Sequence, residues 1–60
     1  MAAPEIGNNV VLGDGSKILG DIKIGDGVIV GANAVVVKDV MENLIVLGDP
    51  TKVIGSSESD

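Results

Sequence analysis

Residues 6–41 read IGNNVVLGDGSKILGDIKIGDGVIVGANAVVVKDVM, and a regularity within them decides the fold. An aliphatic residue falls at every sixth position: Ile6, Leu12, Ile18, Ile24, Val30 and Val36. Four residues beyond each lies a second column of small or branched side chains, Val10, Ser16, Ile22, Val28, Ala34 and Val40. Glycine follows the first column at Gly7, Gly13, Gly25 and Gly31, whereas Leu19 and Val37 take its place in the other two hexads. Those two exceptions lie eighteen residues apart, so the deeper period is eighteen. Residues 6–23 laid over 24–41 agree at five of eighteen positions, with Asp21 over Asp39 among them.

A period of six suits neither a helix, whose apolar face returns at three and four, nor simple strand alternation, which does not enforce glycine at one phase. It suits a coil of short strands joined by tight corners. Three hexads make one triangular turn, and residues eighteen apart stack as parallel strands about 4.8 Å apart. Gly, Asn and Asp gather at the corners because positive φ is expected there. The alternative is a β-meander with Asp14-Gly15 and Asp26-Gly27 as hairpin turns. A meander, however, does not predict a glycine column in register with an aliphatic one.

The rest of the chain agrees with strands. Val and Ile supply seventeen of sixty residues, and aromatic side chains, too bulky for a narrow prism, are absent. Glu42 takes the next inward slot after Val40. The coils are therefore expected over 5–41, a capping segment over 42–54, and a frayed, polar tail over 55–60. A chain of this length buries only about 60% of its unfolded surface. With no Cys and no His, disulfides and thiolate or imidazole metal sites are excluded, which leaves oligomerisation as the stabilising device. The same absences remove the commonest general base and the thiol nucleophile. Four Lys against nine acids give a net charge of −5, which with no aromatic stacking platform argues against nucleic acid as a partner. No apolar run approaches the roughly 18 residues of a membrane span and no signal-peptide pattern opens the chain, so a cytoplasmic location is expected.

These columns, together with Lys17-Ile18-Leu19-Gly20-Asp21-Ile22, Val30-Gly31-Ala32-Asn33-Ala34 and Gly48-Asp49-Pro50-Thr51-Lys52-Val53-Ile54, closely resemble the C-terminal end of hexapeptide-repeat acyltransferases, in particular their serine O-acetyltransferase branch. The resemblance covers roughly residues 4–54. It implies an all-β left-handed parallel β-helix of about two coils plus a C-terminal cap, a homotrimer, and acetyl-coenzyme A as a substrate bound between neighbouring prisms. Position by position, it implies that Asp14 faces the thiol end of the coenzyme and that the backbone of Ala32 meets the pantetheine arm. Val37 and Lys38 fall on the pair that meets the coenzyme from the last coil. Lys52 falls on the basic residue that approaches the nucleotide phosphates. Without the resemblance, both lysines read equally well as ordinary surface residues.

The departures bear on chemistry. The family's general base is a histidine upstream of this region, and Ala3 stands where serine acetyltransferases often carry another. No catalytic residue and no metal ligand is therefore assigned to this chain. Asp14 also replaces a small neutral residue of the family, and Met41-Glu42 replaces its Pro-Pro or Pro-Asp corner. Asp21 and Asp39 read as a solvated corner in preference to a proton-sharing pair. Ser16 reads as part of the inward column, because no base is present to activate it.

Two functions follow. One is the acetyl-coenzyme A-binding C-terminal portion of an O-acetyltransferase, a truncated product or remnant that is not catalytic alone. The other is a non-catalytic assembly or binding module that completes a partner chain. A zinc-dependent hydratase of similar fold ranks last, since its metal needs histidine. A homotrimer with further stacking at the uncapped N-terminal end is expected.

Overall fold

The computed structural model describes residues 3–56. Its strands are β1 (Glu5–Ile6), β2 (Val11–Leu12), β3 (Lys17–Ile18), β4 (Lys23–Ile24), β5 (Ile29–Val30), β6 (Val35–Val36), β7 (Leu44–Leu47) and β8 (Lys52–Ser56). The eighteen-residue period appears directly in the pairing. β1 lies parallel on β4 with Ile6 opposite Ile24, β2 on β5 with Leu12 opposite Val30, and β3 on β6 with Ile18 opposite Val36. Three short sheets thus form the three sides of a prism.

The phase break at Glu42 is a contraction of the coil. Ile24 bridges to Val40, and β5 pairs in parallel with β7 through Ile29 opposite Ile45 and Val30 opposite Val46, a step of sixteen residues. The two residues are lost at the corner after β6, so Val40 takes the inward slot and Glu42 becomes an exposed corner residue. The coil accordingly runs past residue 41 into β7. The antiparallel strand β8 then closes the edge of β7, pairing Leu47 with Lys52 and Leu44 with Ser56. Gly55 and Ser56 belong to this strand, and Ser56 Oγ donates to the Asn43 carbonyl at 2.9 Å. They are therefore held in the sheet where the sequence suggested a frayed tail, while the remainder of that tail, 57–60, lies outside the described residues.

Burial follows the two columns. Ile22, Ile24, Val28, Val30, Ala34 and Val36 of the second coil form the core with Val40 and Val46 of the third. Val28, Ala34 and Val36 are completely excluded from solvent. The corners show why two kinds of residue recur there. Positive φ occurs at Asn9, Asn33 and Asn43 and at Gly15, Gly20, Gly27 and Gly48, the left-handed region that Asn and Gly tolerate best. Asp14 and Asp26 occupy the other half of their turns, so the expectation that Asp shares this role is corrected.

The glycine column has a different cause. None of its four members has positive φ; each lies under the next coil. A Cβ on Gly13 would sit 2.5 Å from the Ala32 amide nitrogen, and one on Gly25 would sit 2.5 Å from that of Glu42. Gly25→Ala should therefore cost about 1–3 kcal/mol by overpacking against a rigid backbone. Asn9→Gly, at a residue already in the left-handed region, should stay within about 0.5 kcal/mol. Urea denaturation of the two variants checks the contrast, and equal midpoints would refute the close-approach account.

Candidate functional site

The third side of the prism is built differently from the other two. β3 lies beneath β6, but among the described residues no third strand follows. The segment 48–51 crosses instead: the Val35 amide donates to the Gly48 carbonyl at 2.9 Å and the Thr51 amide donates to the Val35 carbonyl at 3.1 Å. Gly48 turns the chain at φ +99° to make this crossing, a conformation costly for a residue with a side chain. Where the crossing segment passes over the corner after β6 it leaves a cavity of about 170 Å³, lined by Val37, Lys38, Pro50 and Thr51. A second cavity of about 320 Å³ shares Lys38 and Thr51 and continues over Val40, Leu44 and Val46 to Val53. Together they form an apolar groove with an ammonium at the junction.

The five residues singled out from the sequence separate into three places. Val37 and Lys38 meet in the smaller cavity, both exposed. Asp14 and Ala32 stack in successive coils at the corner on the opposite edge of the same side, where the Asn33 amide donates to the Asp14 carbonyl at 2.8 Å. Lys52 is exposed at the start of β8, next to Thr51 in the chain, and does not line the cavity. Sequence reasoning missed Pro50 and Thr51 as lining residues, although both lie within the closing segment it quoted. It also passed over Lys17, which pairs with Val35 and lies exposed on this side. Counting eighteen back from Val35 finds it.

The corner carboxylates serve the backbone. Asp26 Oδ1 accepts the Asn8 N–H at 2.7 Å, and Asp39 Oδ1 accepts the Lys23 N–H at 2.8 Å. Each ties its coil to the one before, with charge-assisted geometry. Asp39 is therefore a staple between coils.

A family model described as bacterial transferase hexapeptide (six repeats) matches residues 3–38. The serine acetyltransferase of Mycobacterium tuberculosis is 51% identical over 55 residues, which are 92% of this chain and 24% of that protein. Among solved structures, the serine acetyltransferase of Neisseria gonorrhoeae superposes with a TM-score of 0.92 at 40% identity, over 95% of this chain and 22% of that one. A galactoside acetyltransferase in complex with coenzyme A superposes with a TM-score of 0.87 at 36% identity, over 92% of this chain and 28% of that one. The chain thus spans about a quarter of the length of such relatives, and the part it matches is their C-terminal part. Its coils wind as the left-handed parallel β-helix of these acetyltransferases.

Removing the Asp39 staple has a measurable cost. Asp39→Ala should lower unfolding free energy by about 0.5–1.5 kcal/mol, the net worth of an intramolecular hydrogen bond. Asp21→Ala, at an exposed corner, should change it by less than about 0.5 kcal/mol. Parallel urea titrations decide, and a larger effect at Asp21 would overturn the assignment.

Proposed function

The chain belongs to the bacterial transferase hexapeptide family, and we propose that it forms the acetyl-coenzyme A-binding portion of an O-acetyltransferase of the serine acetyltransferase type. The observation that carries this reading is the cavity where Val37 and Lys38 of the last corner meet Pro50 and Thr51 of the closing segment. A galactoside acetyltransferase that superposes on 92% of this chain holds coenzyme A, which supports the same ligand here. Lys38 and Lys52 act as point charges for its phosphates. The backbone of the exposed residues Ala32 and Val37 meets the pantetheine arm, and Asp14 faces the thiol end.

Acetyl transfer requires a hydroxyl oxygen to attack the thioester carbonyl, the coenzyme's thiolate to leave, and a base to take the hydroxyl proton. The chain contains no histidine, so it contributes binding and positioning while the base comes from other residues of the working assembly. That division also supports the second reading, an assembly module that completes a partner chain. Both readings place it in a homotrimer whose coenzyme lies between neighbouring prisms, and in the cytoplasm, where acetyl-coenzyme A is made and used.

Isothermal titration with coenzyme A tests the site. Lys38→Ala and Lys52→Ala should each weaken binding about 5–10-fold, or roughly 1–1.4 kcal/mol, and the loss should shrink at high salt. Asp14→Ala should strengthen binding by relieving repulsion of an anionic ligand. Unchanged affinity in both lysine variants would remove the site assignment. Acetylation of serine by the chain alone would remove the division of labour.

A further inference from the structure

The outer faces of the three sides of the prism differ in charge. Along each strand an inward residue follows an outward one. On the first side the outward residues are Glu5 of β1 and Lys23 of β4, stacked in register, and on the third side Lys17 faces outward from β3. The second side stacks Val11 of β2, Ile29 of β5 and Ile45 of β7. Their neighbours Val30 and Val46 are 1% and 2% exposed, within the core, which sets Ile29 and Ile45 on the outside. β2, β5 and β7 hold no charged residue. Val11 is 55% exposed, and the stripe continues to Leu47, 42% exposed, whose side chain lies against Gly31. The first charge along this sheet is Lys52 of β8, paired with Leu47 at its edge. Coils added at either end of the stack would lengthen this side without covering its outer face, because they join along the backbone hydrogen bonds and not across them.

Resting on the homotrimer proposed above, we infer that the stripe of Val11, Ile29, Ile45 and Leu47 is the face on which each prism packs against a neighbouring copy of the chain. Three-fold symmetry makes the contact heterologous, so the stripe of one copy meets a different patch of the next.

Two physical arguments select a second copy as the occupant. Each chain carries a net charge of −5, so two copies repel wherever their carboxylates approach, and the side without charge is where they meet at least cost. The second argument is the repeat. Rungs lie about 4.8 Å apart on every side of the prism, so stacked side chains form ridges that a second copy, with the same spacing, matches along its whole length. A surface without that period loses register within a few rungs. Covering the stripe also adds apolar burial that so short a chain lacks alone. A carboxylate placed within the stripe would be desolvated there without a partner.

Sedimentation equilibrium of the 60-residue chain tests the face apart from the trimer itself. The unmodified chain should sediment at three times the chain mass. Val11→Glu and Ile29→Glu should each raise the concentration for half association about tenfold or more. A trimer unmoved by both substitutions overturns the face and leaves the trimer standing. A monomeric unmodified chain removes the trimer and the face with it, while titration with coenzyme A still judges the ligand site. Should either variant fail to fold, a thiol probe decides. The chain has no cysteine, so Val11→Cys carries a single reactive thiol. Its modification by a maleimide should slow several-fold from the dilute, dissociated chain to the trimer, and an unchanged rate would refute the contact.

Discussion

Everything in this molecule depends on one coil's backbone lying directly on the next. The amides of Glu5, Gly7, Val11, Gly13, Lys17 and Leu19 all reach carbonyls eighteen minus one residues ahead, at 2.8–2.9 Å. At the corners after β1, β2 and β4 stacking that close leaves no room for a Cβ, and this, more than any turn preference, keeps glycine at Gly7, Gly13 and Gly25; at Gly31 the Leu47 side chain fills the space instead. Since the backbone bonds run along the stack, side chains pointing inward need only be aliphatic and of the right size, and those pointing outward are free to carry charge. The corner carboxylates of Asp26 and Asp39 then add to the same backbone pairing without entering the core.

That division of labour explains what the sequence made legible. Ile6, Leu12, Ile18, Ile24, Val30 and Val36 announce a period because a prism interior is the same at every side, and register follows from where glycine is missing, at Leu19 and Val37. The contraction before Val40 was harder to see. It moves the inward position by two residues, so Glu42 looked like a polar intrusion into the core although it is an exposed corner. The last two residues of β8 escaped for a related reason: Gly55 and Ser56 have no apolar signature, and what holds them is pairing to Ile45 and Leu44 with the Ser56 hydroxyl on the Asn43 carbonyl.

The candidate site was legible in part. Val37 and Lys38 were marked by a resemblance and do meet in a cavity. Pro50 and Thr51 line it with them, yet what brings them there is a pair of backbone hydrogen bonds to Val35, which no side-chain pattern encodes.

The cavity comes from the turn that follows the third coil. At Gly48, just after β7, positive φ turns the chain across the side. The crossing segment satisfies both backbone groups of Val35 while leaving space beside Val37 and Lys38. A regular solenoid has no reason to hold a ligand at one rung more than another, because all rungs are alike. The crossing at Gly48 makes one rung unlike the rest, and the groove described above lies there.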